Sequence, residues 1–331
     1  SMVFLPDDSM LVATRRGLIY QIKDGVRREI SGGPASVFLG ESGGIGTVHG
    51  YIDIKLHPDF ASNGLVYLSY HRPETDQPAG VLTVGRGRFN GSALENFEII
   101  YDTKDLNGGN RIVFGSDNKL YVTTPDRDSQ NLASIGGKIL RLNDDGSVPA
   151  DNPFVKKPNA LPEIYSFGHR FSLGLAVHPS GTLWQSENGP NGGDEINIIT
   201  AGADYGWPAV SFGRDYNGPW HNGKPTHEGY DMPVVYWMPS IAVAGLAFYT
   251  GDALPKWKGD VFVGSMRTGE VNGTGHLERI LLNDDLEELR RESLLIDLHK
   301  RVRDVIQGPD GYLYVALEDK DGGILRIMPA Q

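Results

Sequence analysis

Two acidic residues, Asp194 and Glu195, stand before a long glycine-rich loop that also carries Asp215. Calcium prefers six to eight oxygen ligands and accepts carboxylates together with backbone carbonyls. A loop of this composition can supply both kinds of oxygen, and it therefore predicts a calcium site. A solvated acidic loop without a metal has the same composition, so the residues alone leave that alternative open.

Arg301 and Arg303 are separated by one residue in a segment that continues as an apolar run. Alternate residues of a β-strand point to the same side of the sheet, which places both guanidinium groups together. A guanidinium is a fixed fork of donors that suits a carboxylate. The spacing predicts that both face one ligand or partner, and a surface or structural ion pair is the alternative.

One pattern recurs along the chain: an apolar run, a turn, and a second apolar run rich in β-formers. Each copy is typical of a β-hairpin, and the six turns contain Pro6, Pro58, Gly115, Pro179, Gly251 and Pro309. The copies recur at roughly 50 to 70 residues, a spacing that suits one four-stranded blade with its loop.

These repeats predict an all-β protein, a six-bladed β-propeller that residues 1–331 form as a single domain. We expect the ring to close by pairing of the terminal segments 3–5 and 325–327, which are both apolar. Helix should be scarce, and the charged segment 284–295 fits one or two helical turns and a surface strand or loop equally well. A β-sandwich, or two stacked β domains, is the alternative architecture.

The composition excludes several classes of function. The chain has 331 residues, a net charge of −11 and no cysteine. Without cysteine there are no disulfides, thiolate nucleophiles or Cys-ligated zinc or iron–sulfur centres. The negative charge argues against nucleic acid and anionic membrane as partners, because phosphate contacts need clustered Lys and Arg. No apolar run reaches the length of a transmembrane helix.

The segment from Gly168 to Pro208 reads GHRFSLGLAVHPSGTLWQSENGPNGGDEIN and ends in DYGWP. It resembles the signature of the soluble quinone-dependent sugar dehydrogenases, the glucose/sorbosone and aldose sugar dehydrogenase family. Blocks at 137–143, 151–154, 301–305 and 308–311 extend the resemblance over nearly the whole chain. It implies a six-bladed propeller with calcium and pyrroloquinoline quinone (PQQ), a planar quinone with three carboxylates. In such enzymes a histidine takes the sugar hydroxyl proton.

The resemblance assigns cofactor contacts to four arginines. Arg170 corresponds to the family arginine that faces the quinone oxygens, which makes it a candidate catalytic residue as well. Arg301 and Arg303 correspond to the pair that holds the carboxylates of the cofactor. Arg267 stands where the family often has a lysine over the cofactor. Together the four arginines in matched blocks predict a cation-lined pocket.

The resemblance also implies two calcium sites. The carbonyls of Gly189 and Pro190 correspond to ligands of a calcium that is linked to the cofactor. Glu195, Tyr205 and Asp215 correspond to ligands of a second, structural calcium.

Three positions depart from the family pattern. The family base is a histidine four residues before an arginine, but here the position is Asn107, and an amide has no useful pKa for general base catalysis. Val48 stands where the family has glutamine or glutamate, and Phe171 stands where it usually has asparagine. His49, beside Val48, is a candidate relocated base because imidazole titrates near neutrality. A loop histidine without a role is the alternative.

The sequence therefore leaves three functions open. The first is PQQ- and calcium-dependent oxidation of sugars or related alcohols, with activity reduced or changed by Asn107. The second is a calcium-dependent hydrolase of lactones or phosphotriesters, since calcium can polarise a carbonyl or phosphoryl oxygen. The third is binding of a sugar or an anion without turnover.

The remaining expectations follow from the family or from the ends of the chain. We expect a small-molecule sugar or anionic substrate, and a monomer or homodimer. Family membership predicts a periplasmic or secreted location. We interpret Ser1 and Met2 as the remnant of a tag, with a leader removed before them.

Overall fold

The chain folds into a ring of six antiparallel β-sheets in a computed structural model that describes residues 1–40, 49–104, 106, 108–220, 225–226, 228–320 and 322–329. Within each sheet the strands pair in chain order, so that each sheet is one blade of a propeller. Five blades have four strands, and the described residues of the sixth form three. The predicted all-β, six-bladed propeller is confirmed.

The strands of the first three blades are β1 Met2–Phe4, β2 Met10–Ala13, β3 Ile19–Lys23, β4 Val26–Ile30, β5 Tyr51–Leu56, β6 Leu65–Glu74, β7 Gln77–Phe89, β8 Leu94–Asp102, β9 Ile112–Phe114, β10 Leu120–Thr123, β11 Lys138–Leu142 and β12 Ile164–Phe167. Those of the last three are β13 Phe171–Val177, β14 Leu183–Asn188, β15 Asp194–Ile199, β16 Val235–Trp237, β17 Val243–Phe248, β18 Val261–Ser265, β19 His276–Leu282, β20 Glu288–Leu294, β21 Arg301–Gln307, β22 Leu313–Glu318 and β23 Ile324–Ile327.

Helical structure is confined to short pieces in the described part of the chain. The helix α1 spans Phe60–Asn63, and 3₁₀ turns span Pro255–Trp257 and Ile296–Leu298. The charged segment 284–295, which fitted a helix, a strand or a loop, contains the strand β20 with a turn before it. No helix among the described residues has the length and apolar character that crossing a bilayer requires.

Each of the six predicted hairpins forms the first two strands of a blade. In the fourth blade the turn is closed by the N–H of His178, which donates to the carbonyl oxygen of Thr182 at 2.8 Å. Gly181 adopts a φ of 93° in this turn, a conformation that favours glycine. The following strand, β14, is buried along its whole length, because neighbouring blades cover both of its faces.

The ring closes by packing of blades and not by pairing of the termini. The first strand β1 pairs with β2 and contacts both β5 and β21, whereas β23 pairs with β22. The predicted pairing of segments 3–5 and 325–327 is therefore wrong. The physical reason is their position in the blades: β1 is the innermost strand of its sheet and β23 is the third strand of another, so they lie at different distances from the axis.

The guanidinium of Arg111 joins blades at the centre of the ring. Its Nε donates to the carbonyl of Leu173 at 2.6 Å, and its Nη2 donates to the carbonyl of Arg303 at 2.9 Å. Its Nη1 lies 3.5 Å from Oδ1 of Asp53 and 3.2 Å from Oδ1 of Asp304. One buried side chain of the third blade thus contacts the innermost strands of the second, fourth and sixth blades.

The two carboxylates of this axial cluster are themselves compensated. Nζ of Lys55 lies 3.0 Å from Asp53, and the N–H of Met2 in the first blade donates to Asp304 at 3.2 Å. Burial raises the pKa of Asp53, but the positive charges of Lys55 and Arg111 outweigh it and lower the pKa to about 2. Two carboxylates face two cations, so the cluster is balanced in charge.

We expect Arg111→Met to lower the free energy of unfolding by about 3–5 kcal/mol, because it leaves buried carboxylates without their partner. Denaturation in urea at pH 7 measures the loss. Lys258→Met, which breaks the exposed 2.6 Å pair with Asp252, is the matched control and should leave the midpoint unchanged. Equal midpoints for both variants would contradict the structural role of the cluster.

The lowered pKa of Asp53 also predicts how the stability of the protein depends on pH in acid. A carboxylate whose pKa is lowered in the folded state stabilises the protein above its unfolded pKa, and this contribution is lost as the pH falls through the folded value. For Asp53 that window runs from 3.8 down to about 2. The wild type should lose stability across this window, and the further variant Asp53→Asn should show a smaller pH-dependent loss there.

Candidate functional site

The predicted site residues reach one face of the ring because of strand direction. In an antiparallel hairpin the first strand begins where the second strand ends. Arg170 directly precedes the first strand of the fourth blade, and Arg301 begins that of the sixth. Asn188 and Glu318 end the second strands of the same two blades. All four therefore lie at the same face of the propeller.

Three arginines share one carboxylate on this face. Nε of Arg301 and Nε of Arg303 lie 3.4 and 3.1 Å from Oε2 of Glu318. Nη1 of Arg15 lies 3.5 Å from the other oxygen of Glu318. Arg301 and Arg303 also both donate to the sulfur of Met266, at 3.3 and 2.7 Å. One carboxylate cannot neutralise both Arg301 and Arg303, so these two guanidinium groups carry excess positive charge. We define Arg15, Arg301, Arg303 and Glu318 as the arginine cluster.

The excess charge is visible in the pKa of Arg303. Burial lowers this pKa to about 10, and the charges of Arg301, Arg15 and Arg111 act in the same direction against the opposing effect of Glu318. A buried cation whose pKa is lowered in this way is stabilised by any anion that binds beside it. The cluster therefore favours an anionic ligand.

Arg267 follows Met266 and forms an ion pair with Glu270 at 2.5 Å. Its Nε is buried and has no hydrogen-bond partner. A donor of this kind is costly to bury without an acceptor. The position beside the arginine cluster is compatible with the predicted cofactor contact, which stays a prediction.

Arg170 is held by backbone oxygens and by an aromatic ring. Its Nη1 donates to the carbonyls of Asn188 at 2.8 Å and Gly189 at 2.7 Å, and its backbone N–H donates to Glu187 at 2.6 Å. The guanidinium carbon lies 5.2 Å from the ring centre of Trp207. Arg170 thus contacts the same Gly189 carbonyl that the sequence assigned to calcium.

Glu187 is in turn fixed by a buried histidine. Nδ1 of His169 lies 3.3 Å from Glu187, and Nε2 of His169 lies 2.9 Å from the hydroxyl of Ser166. Serine, histidine and carboxylate in this order are the elements of a hydrolytic triad. Here Ser166 and His169 have no exposed surface, so a substrate does not reach the hydroxyl. The arrangement positions Glu187 beneath Arg170.

A small cavity brings two carboxylates together beside Arg170. Glu187, Gly189, Glu195 and Tyr205 all contribute to its lining. The amide of Asn197 donates to Glu187 at 3.0 Å and to Glu195 at 3.3 Å. Burial and the negative charge of Glu187 raise the pKa of Glu195 well above its usual value. A cation bound in the cavity would relieve this repulsion.

Backbone oxygens complete a donor set that fits calcium. A Cβ on Gly189 would lie 2.1 Å from the carbonyl oxygen of Gly192 and 2.4 Å from that of Gly193, so only glycine lets these oxygens approach so closely. Carboxylates combined with carbonyls are the ligands that calcium prefers. No group of three or more His, Cys, Asp or Glu side chains able to hold a metal occurs in the described ranges. Any calcium here would therefore depend on carbonyl oxygens.

The structure separates the predicted metal ligands. The hydroxyl of Tyr205 donates to the carbonyl of Ile198 at 2.6 Å and accepts from the N–H of Thr200 at 2.9 Å, which leaves its backbone carbonyl as the available ligand. Asp215 lies in an exposed turn and does not line the cavity. Pro190 is buried and does not line the cavity either. The metal roles of Asp215 and Pro190 stay predictions.

His49 is almost fully buried, with 5% of its surface exposed. Its Nδ1 has no hydrogen-bond partner. Burial and the nearby charge of Arg15 lower its pKa, so the ring is neutral at pH 7. The ring centre lies 5.5 Å from that of His71, whose Nε2 accepts from the N–H of Gly108 at 3.0 Å. Val48 and Asn107, the neighbours of His49 and Gly108, lie outside the described residues.

Phe171 adds an apolar surface near Gly108 and Met266. It packs on a buried group that includes Leu173 and Met266. A Cβ added to Gly108 would lie 3.4 Å from its ring. Phe171 therefore brings an apolar surface to a position where the family usually has an amide.

Sequence reasoning missed five residues that shape the site. Each lies near the end of the second strand of its blade or directly after it, the end that returns to the site face. That position was the signal available in the sequence once the hairpins had been recognised. The residues are Arg15, His71, Glu187, Met266 and Glu318.

Comparisons with known proteins agree with this geometry. The family description "Glucose / Sorbosone dehydrogenase" matches residues 1–326. The aldose sugar dehydrogenase YliI of Escherichia coli is 35% identical over 99% of this chain and 89% of its own length. The quinoprotein glucose dehydrogenase B of Acinetobacter calcoaceticus is 27% identical over 83% of this chain and 74% of its own.

Two solved structures share the fold along almost the whole chain. The soluble aldose sugar dehydrogenase of Escherichia coli in its apo-form is 34% identical, with a TM-score of 0.88 and coverage of 99% and 95%. The PQQ-bound aldose sugar dehydrogenase of Streptomyces coelicolor is 26% identical, with a TM-score of 0.76 and coverage of 98% and 92%.

The adjoining carboxylates of Glu187 and Glu195 allow a test for calcium binding in the cavity. In metal-free protein at pH 7, Glu195→Gln should raise the melting temperature, because it removes one of two buried like charges. Calcium should raise the melting temperature of the wild type by mass action and that of the variant much less. Differential scanning fluorimetry with chelator and with calcium measures both effects.

Glu98→Gln, at an exposed carboxylate paired with Arg86 at 2.8 Å, is the control and should respond to calcium like the wild type. If the melting temperature of the wild type is the same in excess chelator and in excess calcium, the predicted calcium site is contradicted.

Proposed function

Because the chain belongs to the glucose/sorbosone dehydrogenase family, we propose that it oxidises sugars or related alcohols with PQQ and calcium. Family membership makes it a sugar dehydrogenase of the propeller type, and the cofactor and the metal are the proposed part. The observation that carries the proposal is the arginine cluster, in which the guanidinium groups of Arg301 and Arg303 share the single carboxylate of Glu318. It lies on the same face of the ring as the carboxylate-lined cavity.

The arginine cluster fits an anionic cofactor. PQQ carries three carboxylates, and buried guanidinium forks bind carboxylates through charge-assisted hydrogen bonds. Arg301 and Arg303 would hold the cofactor. Once bound, the quinone supplies the acceptor for the hydride of the substrate. An uncharged sugar alone would leave the excess charge of the cluster uncompensated.

Calcium fits the cavity beside Arg170. Glu187 and Glu195 supply negative charge, and the carbonyl of Gly189 supplies a neutral oxygen. A calcium ion on that carbonyl would repel the guanidinium of Arg170, which now donates to it at 2.7 Å. Calcium binding at Gly189 therefore requires Arg170 to release this oxygen, and the released guanidinium becomes available to a ligand.

The substrate proton needs a base other than Asn107. His49 suits this role because burial and Arg15 keep its ring neutral, and its Nδ1 is without a partner. In the proposed reaction the sugar hydroxyl gives its proton to His49 and its carbon gives hydride to the oxidant, which leaves a carbonyl product.

The family match favours oxidation over the two alternatives from the sequence. A calcium-dependent hydrolase would need an accessible nucleophile or polarised water, and the one Ser–His–Glu arrangement noted above is buried. A binding propeller without turnover is favoured by Asn107 alone. The substrate is proposed to be a small aldose, and a periplasmic or secreted location remains a prediction.

Kinetics with aldoses, PQQ, calcium and a dye acceptor test the function. The wild type should turn over slowly, because a general base in its ordinary place contributes about 10² to 10⁴-fold. Asn107→His should raise kcat, and His49→Ala should abolish the residual activity of the wild type. His178 lies in the turn at the opposite end of the strands from Arg170. His178→Asn is therefore the control and should leave both kcat and KM unchanged.

Loss of activity in His49→Ala, with melting temperature retained, assigns the base to His49. Unchanged activity in that variant would show that His49 is a loop histidine without a role in the reaction. Hydrolysis of a lactone in calcium without PQQ, together with no oxidation of any aldose, would contradict the proposed function.

A further inference from the structure

Asp194 is a fully buried carboxylate surrounded by neutral hydrogen-bond donors. The N–H of Gly189 donates to its Oδ1 at 3.0 Å, and the N–H groups of Ile241 and Val243 donate to its Oδ2 at 2.9 and 3.2 Å. The hydroxyl of Ser240 lies 2.7 Å from both oxygens. An ionised carboxylate has about four acceptor sites, so these donors leave Asp194 unavailable as a metal ligand.

The contact between Asp194 and Gly189 fixes the direction of a carbonyl group. The peptide bond between Asn188 and Gly189 is trans, so its N–H and its C=O point to opposite sides. Because the N–H points to Asp194, the carbonyl oxygen of Asn188 points away from Asp194, and Nη1 of Arg170 lies 2.8 Å from it. Asn188, Gly189 and Arg170 all line the cavity that contains Glu187 and Glu195. Asp194 therefore directs the Asn188 oxygen to the side of the cavity.

A turn at the start of the fifth blade anchors Asp194 from behind. Ile241 donates its N–H to Asp194, and its carbonyl accepts from the N–H of Arg267 at 3.2 Å. The carbonyl of Ala242 accepts from the N–H of Met266 at 3.1 Å. Ala242 has a φ of 53°, a conformation that a residue with a side chain keeps only where surrounding contacts determine it. The donors that hold Asp194 thus belong to a well-determined segment.

We propose that Asp194 is a positioning residue for calcium, which holds the Asn188–Gly189 peptide in the orientation that presents the Asn188 carbonyl to the ion. Among the described residues no three His, Cys, Asp or Glu side chains form a metal site, so carbonyl oxygens must supply much of the coordination. A peptide turned the other way would direct its N–H at the cation. The inference rests on the proposed function, because it needs calcium in this cavity.

The contacts of Arg170 are compatible with this role. One nitrogen, Nη1, donates to the carbonyls of both Asn188 and Gly189, at 2.8 and 2.7 Å. The release of Arg170 that calcium requires at Gly189 therefore frees the Asn188 oxygen as well. Asp194 keeps that oxygen in place when the guanidinium leaves, since its own contact is with the opposite side of the peptide.

Asp194→Asn tests the positioning role, because an amide has a single acceptor oxygen. Three donors meet at Oδ2, so the oxygen of the new side chain should take that place, and its NH₂ group should face the N–H of Gly189. We expect calorimetric titration with calcium chloride, without PQQ, to show binding about tenfold to a hundredfold weaker than in the wild type. Calcium affinity equal to that of the wild type would overturn the proposal and leave the proposed function intact.

Ser240→Ala is the matched control. It removes a hydroxyl donor from the same carboxylate and keeps the contact between Asp194 and Gly189. Both variants should lower the melting temperature, but only Asp194→Asn should weaken calcium binding. Equal losses of calcium affinity in the two variants would show that Asp194 acts only through the stability of the loop, and would overturn its positioning role. A wild type that binds no calcium would contradict the proposed function and this inference together.

Hydrogen exchange at the Gly189 amide tests the same claim in the wild type, without any substitution. Mass spectrometry at single-residue resolution should find this N–H equally protected in excess chelator and in excess calcium, because Asp194 accepts it in both conditions. An amide that exchanges freely in chelator and becomes protected only with calcium would show that the ion itself orients the peptide. That result would overturn the proposal even if Asp194→Asn does not fold.

Discussion

The buried guanidinium of Arg111 is the contact on which the arrangement of the blades depends. It donates to carbonyls of the fourth and sixth blades and faces carboxylates of the second and sixth. Because Asp304 also accepts from Met2, the first blade joins the same cluster. A buried charge tolerates little displacement of its partners, since each lost contact exposes a costly unpaired group. The inner strands are thereby fixed in relation to one another, and with them the residues that precede these strands.

The axis and the site face differ in their charge balance. At the axis Arg111 and Lys55 face two aspartates, and the charges cancel. On the site face Arg301 and Arg303 share the one carboxylate of Glu318, while Glu187 and Glu195 adjoin each other with an amide between them. Such imbalance destabilises a protein without ligands. It is expected where binding restores the balance, here through an anionic cofactor in one place and a cation in the other.

Hairpin periodicity made the fold predictable from the sequence, because each repeat needed only an apolar run and a turn. The i, i+2 spacing of Arg301 and Arg303 likewise predicted their shared side, and both contact Glu318. Ring closure was not predictable, since apolar termini do not reveal which strand of a blade they form. His71 and Glu318 were missed because their roles arise from contacts between blades. Asp215 was predicted from the family resemblance and from the composition of its loop, neither of which reveals that it lies in an exposed turn outside the cavity.

Titration of PQQ into calcium-loaded protein, followed by the quinone absorbance, tests the central claim most directly: that the unbalanced charges of the site face bind this cofactor and metal together. The account predicts saturation at one PQQ per chain, binding that is lost on chelation, and weaker binding in Arg303→Met. It is contradicted if folded, calcium-loaded wild type gives no saturable change, or if Arg303→Met binds PQQ as tightly as the wild type.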